Sequence, residues 1–146
     1  MVVGLIFRSI EFMRSTIHGL RIAVVALVGY WTLLFISTHI PVQGVMQRVR
    51  ANDKVLHILA FSGLAFLIAW AIPTNKNRLS QNVVIAAAVG VIYGGIDELL
   101  QIPVGRTADW YDFAADCFGI LVGLIAYTSL RAYLMRSKIQ LLHDAK

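Results

Sequence analysis

Of the 146 residues, 58% are hydrophobic and 14% charged, and the mean hydropathy is +0.72. Soluble domains carry about 25% charged residues, so the composition excludes an ordinary soluble fold and indicates a single membrane domain. The formal charge of +5 does not indicate nucleic acid, because the basic residues stand at the ends of apolar runs rather than along one polar face.

One cysteine, Cys117, excludes an intrachain disulfide and any multi-thiolate metal centre. It reads as a small buried apolar residue. The N-terminus does not read as a cleaved signal, since the longer apolar run from Ile22 is not followed by a small-residue cleavage site.

Residues 1–21 place Val3, Ile6, Ile10, Met13, Ile17 and Leu20 on one helical face and Arg8, Glu11, Ser15 and His18 on another. This spacing predicts an amphipathic helix at the membrane surface, with packing on a partner protein as the rival reading. Ile22–Ser37 holds no charge and reads as the first span, extended by Thr38, His39 and Ile40 up to Pro41. In the loop that follows, Val42, Val45, Met46 and Val49 share a face and predict a short interfacial turn.

Asn52 caps the second expected span, Asp53 occupies its first turn, and its apolar run covers 55–72. Lys76 and Arg78 lie in the next loop. The third span starts at Ser80 or Asn82 and ends at Ile102, before Pro103. A turn with Gly105 and Arg106 leads to the fourth, over 111–130, followed by Arg131, Arg136 and Lys138. The expected fold is therefore all-α: an integral membrane four-helix bundle over 22–138, with an interfacial helix before it and a cytoplasmic tail over 139–146.

The N-terminal segment, the 73–81 loop and the C-terminal tail hold nine Lys and Arg residues, and the other two loops hold four. The positive-inside rule then predicts that both termini are cytoplasmic. Five of the eight acidic residues, Asp97, Glu98, Asp109, Asp112 and Asp116, fall within twenty positions on the opposite side. An ionised side chain at the centre of a spanning helix costs roughly 2.5–3.5 kcal/mol on insertion scales, so such residues face partners or water.

Asp97 and Gln101 are four apart on one face with Tyr93, and Glu98 is three from Gln101. Asp109, Asp112 and Asp116 continue into Gly119 and Gly123, while Gly90 and Gly94 give the third helix a matching small-residue strip. These two strips predict a close antiparallel hairpin of helices three and four. His57, four after Asp53, is the expected contribution of helix two. Lys54, His57 and Arg106 are the available cations, and an Arg106–carboxylate fork would be the strongest pair. Asp53, Lys54 and Asp109 also fit the simpler role of charges at helix ends.

The order Asp53-Lys54-x-x-His57-x-x-x-Phe61, Glu98-x-x-Gln101, Gly105-Arg106, Asp112 and Gly119-x-x-x-Gly123 resembles the VanZ-like family. These are small multi-span bacterial membrane proteins, with a founding member linked to low-level teicoplanin resistance. The resemblance runs from Asp53 to Gly123 and implies a bacterial cytoplasmic-membrane protein, but no agreed reaction. It departs at Asp116, where the family pattern usually has Asn.

Three classes follow. The favoured one is an outer-face site of His57, Asp97, Glu98, Gln101, Arg106, Asp112 and Asp116 that binds an envelope lipid, glycan or glycopeptide, flanked by Trp110, Tyr111 and Phe113. The second is a structural or assembly subunit of a larger membrane complex or homo-oligomer, in which the same cluster is architectural. The third is a hydrolase or transferase acting on a lipid-linked phosphate through paired carboxylates. It ranks last, because no nucleophile elbow, metalloprotease helix or P-loop is present. The expected partners are membrane lipids, and neither a catalytic residue, a metal ligand nor a cofactor is assigned.

Overall fold

The computed structural model describes residues 16–17, 20–39, 53–72, 79–104 and 109–144. Among them are four long helices: α1 (Ile22–His39), α2 (Asp53–Ala71), α3 (Leu79–Gln101) and α4 (Trp110–Asp144). Each contains a stretch long and apolar enough to cross a membrane, and in α4 this stretch is Trp110–Ser137. The all-α membrane architecture expected from the sequence is thus the observed one.

Most of the surface helix expected over 1–21 lies outside the described residues, as does the interfacial turn expected over 42–50. Where the chain is described before α1, it is extended rather than helical: Thr16–Ile17 (β1) pairs antiparallel with Leu20–Arg21 (β2). At the other end, α4 runs unbroken past residue 138 to Asp144.

Local chemistry sets the helix ends. Asp53 stands in the first turn of α2, where a carboxylate meets the positive end of the helix dipole. The carbonyls at the far end of α2 are capped from outside. Arg21 donates to the Ala71 oxygen at 2.8 Å, and the Asn82 amide donates to Ala69 at 3.0 Å and Ile72 at 3.3 Å. Pro103 cannot continue α3, which tightens into a 3₁₀ turn over Ile102–Val104.

The centre of the bundle is α2, with Phe61, Leu64, Ala65, Ile68 and Ala69 packed on Ala86 of α3 and on Ile120, Leu124 and Tyr127 of α4. The partner of the α4 glycine strip is α2, which corrects the expected pairing with α3. A Cβ at Gly119 would lie 3.0 Å from the Ile58 Cα, and one at Gly123 would lie 2.9 Å from the Ser62 carbonyl carbon. The backbones approach that closely only because both positions lack a side chain. Ser62 fastens the crossing by donating from Oγ to the Gly119 carbonyl at 2.9 Å. The glycines of α3 do face α4, but its side chains rather than its glycines: Gly90 faces Ile120, and Gly94 faces Asp116 of α4 and Phe61 of α2.

The first helix is the least embedded, with Ala23 its one buried residue. It is held by Tyr30, whose hydroxyl lies over Gly63 and donates to the Ala60 carbonyl at 2.8 Å, and by an edge-to-face contact of Trp31 with Tyr93. Val28, Leu33, Leu59, Val84, Ile92 and Ile125 point outward, as lipid-facing residues do.

Candidate functional site

The ends of α1 and α3 meet the starts of α2 and α4 at one end of the bundle. Polar residues that are far apart in sequence come together there. His57, Asp97, Glu98, Gln101, Asp112 and Asp116 are all buried, with Asp97 and Asp116 fully so. They form two groups.

The first surrounds Asp97. Gln101, one helical turn on, donates its amide to Oδ2 at 2.8 Å, and the Tyr93 hydroxyl, one turn back, donates to Oδ1 at 3.2 Å. Thr38, on α1, donates to the same oxygen at 3.1 Å, and His39 Nδ1 lies 3.9 Å from it. Three neutral donors thus solvate this carboxylate, and no Lys or Arg reaches it among the described residues.

The second group draws on three helices. His57 Nδ1 of α2 is 2.8 Å from Asp116 Oδ1 of α4. Glu98 of α3 accepts the Asp109 N–H at 2.9 Å, and so ties the end of α3 to the entry of α4. One candidate ligand atom from each of His57, Glu98 and Asp116 lies within 4.8 Å of the other two, and Asp53, His57 and Asp112 form a second such trio. The other Asp116 oxygen, Oδ2, is buried and has no hydrogen-bond partner among the described residues.

A charged lip borders this group. Lys54 lies 2.7 Å from Asp112 and 3.4 Å from Asp109, with its ammonium over the Tyr111 ring at 5.4 Å from the centroid. Trp110 and Tyr111 are 83% and 71% exposed, the arrangement of aromatic residues at a membrane–water boundary.

Asp109 caps α4 by accepting the Tyr111 N–H on Oδ1 at 2.8 Å, while its carbonyl accepts from Asp112 and Phe113. The Tyr111 N–H foremost, and then Lys54, holds the Asp109 carboxyl below its usual range. A depressed folded-state pKa adds stability above the unfolded value of about 3.9, which is lost as pH falls through the folded value. Asp109→Ala is therefore expected to lower the melting temperature in detergent at neutral pH. Asp109→Asn should keep the cap but flatten the acid limb of the stability profile, and unchanged melting in both variants would show that the cap is idle.

Of the residues singled out from the sequence, Asp97 and Gln101 bond each other, His57 meets Asp116, and Lys54 pairs with Asp112 and Asp109. Glu98 joins the Asp109 backbone and not Gln101. Arg106 lies outside the described residues. Thr38 and His39 were expected only as an extension of the first span. Their signal was two polar residues closing an otherwise apolar helix.

The second group presents carboxylate oxygens and one imidazole, so it offers hydrogen-bond acceptors, proton-transfer groups and cation ligands. Four membrane-length helices with a buried polar cluster at one end define a multi-pass membrane protein. The family model described as VanZ/LLP1 matches residues 1–132, and the chain belongs to that family. No curated protein and no solved structure matches it significantly.

Proposed function

We propose that the polar end of the bundle binds the head group of an envelope lipid, glycan or glycopeptide, and that it opens to the outer face of the bacterial cytoplasmic membrane. The observation that carries this reading is the gathering of five buried ionisable residues, His57, Asp97, Glu98, Asp112 and Asp116, at one end of a bundle that is otherwise apolar. Buried charges in a membrane domain are expensive and tend to mark sites. Carboxylate oxygens suit the hydroxyls of a sugar or the ammonium of a lipid or peptide, and Trp110 and Tyr111 supply stacking surfaces at the rim. The Lys and Arg asymmetry supports the outward orientation, with both termini cytoplasmic.

The test is mass analysis of what accompanies the protein in nanodiscs made without added detergent. A bound envelope lipid or cell-wall precursor is expected with the wild type and should be lost in Glu98→Gln and in Arg106→Ala. Identical companions in all three proteins would sink the reading. A protein partner in fixed ratio, unaffected by either substitution, would point to the structural-subunit role, which the thinly packed α1 could serve.

A further inference from the structure

We propose that His57, Glu98 and Asp116 form a binding site for one divalent first-row transition-metal ion, of the zinc or manganese kind. The proposal goes beyond the head-group reading and does not depend on it. The three residues come from α2, α3 and α4, and are exposed by only 7%, 7% and 0%. Their candidate ligand atoms lie within 4.8 Å of one another.

A second observation is independent of that clustering. Asp116 Oδ2 is buried without any hydrogen-bond donor among the described residues, although Oδ1 is satisfied by His57. A buried carboxylate oxygen with no donor costs free energy that a cation would offset. Lys54 does not supply it. Its ammonium is engaged by Asp112 and Asp109 on the half-exposed lip.

One imidazole nitrogen with carboxylate oxygens is a donor set for zinc, iron or manganese; magnesium and calcium prefer oxygen alone. Ligand atoms about 2.0–2.2 Å from a zinc ion stand about 3.4 Å apart in a tetrahedron. The three candidate ligand atoms, no more than 4.8 Å from one another, would draw together to reach that spacing. With Oδ2 of Asp116 as its ligand atom, the ion would satisfy the carboxylate oxygen that has no donor. Three protein ligands leave a position open for water or another molecule. The other trio, Asp53, His57 and Asp112, uses the same histidine, but Asp53 is only partly buried and Asp112 already holds Lys54. That makes it the weaker claimant.

The experiment takes the full chain in nanodiscs, strips it with a chelator and titrates it with Zn²⁺, Mn²⁺ and Mg²⁺, reading the bound metal by elemental analysis and calorimetry. About one Zn²⁺ or Mn²⁺ per chain is expected, with affinity falling at least about tenfold in Asp116→Asn and His57→Gln. His143→Gln, on the exposed last turn of α4 away from the cluster, should leave it nearly unchanged. Substoichiometric metal in the wild type, equal affinity for Mg²⁺, or undiminished binding in both ligand variants would overturn the site. Should those variants fail to fold, X-ray absorption of the zinc-loaded wild type decides instead. One imidazole among oxygen neighbours is expected, and a shell without imidazole refutes the assignment.

Discussion

Gly123→Val is expected to separate the central helix pair, while Gly29→Ala should slightly stabilise the protein. At Gly123 a Cβ would lie 2.9 Å from the Ser62 carbonyl carbon and 3.0 Å from its Cα, and nearer still to the carbonyl oxygen. These are backbone atoms inside α2, so no rotamer change relieves the overlap; α2 and α4 must move apart along the strip that also contains Gly119. Overpacking a rigid site costs typically about 1–3 kcal/mol, and valine adds two methyl groups beyond the first clash. Opposing this is the intrinsic helix preference for a side chain, about 1 kcal/mol for Gly→Ala. At Gly29 nothing lies within 4 Å of the added Cβ, so only the favourable contribution remains. Thermal unfolding in one detergent should therefore give shifts of opposite sign, large and negative for Gly123→Val. Equal shifts would mean that α4 does not lie against α2 at that distance.

The same crossing marks the boundary of what sequence spacing can tell. Gly119 and Gly123, four apart, announced a close helix contact, and a close contact exists. Its partner was not legible, because a small-xxx-small strip specifies that a backbone can approach without specifying which one. Gly90 and Gly94 do face α4, but they receive its Ile120 and Asp116 side chains rather than its glycines. The four spans were legible for a stronger reason: apolar runs of membrane length, broken by Pro41, Pro73 and Pro103, leave the backbone no other way to satisfy its hydrogen bonds in lipid. Within the site, pairs on one helix followed from the period of the helix, as with Asp97 and Gln101. Contacts between helices did not. His57 with Asp116 and Thr38 with Asp97 depend on the rotation of each helix about its axis, which uniformly apolar sequences hardly constrain. The backbone partner of Glu98 was hidden for a related reason. Glu98 accepts from the backbone N–H of Asp109 at the start of α4, which no side-chain pattern reveals.

Asp97→Leu is expected to be the most damaging single change at the polar end, and Asp97→Asn a mild one. Asp97 is fully buried, and its two oxygens accept from Gln101, Tyr93 and Thr38. Leucine fills a similar volume but leaves the Gln101 amide and the Tyr93 hydroxyl without this acceptor, while the Thr38 hydroxyl can still donate to the Phe35 carbonyl at 3.1 Å. Each unsatisfied donor costs about 1–3 kcal/mol in a water-soluble interior, although side-chain hydrogen bonds in membrane bundles average only about 0.6 kcal/mol by double-mutant cycles. The two together give roughly 1–6 kcal/mol, a large part of the stability of a small domain. Asparagine keeps the shape and one acceptor oxygen, and its amide group can bond the carbonyl of a reoriented Gln101. The loss should fall unevenly over the structure. With a single buried residue, α1 relies on a few polar ties, and at this end Thr38 and His39 both reach Asp97. Unfolding in the Asp97→Leu protein should thus begin with that end of α1, seen as faster modification of a cysteine placed at Ser37 than at Gly29. Tyr93→Phe should destabilise the wild type but add little in the Asp97→Leu background, since its hydroxyl has already lost its acceptor. Full additivity of those two substitutions would break the network apart. Wild-type stability in Asp97→Leu would mean that the carboxylate is kept for a ligand and not for the fold.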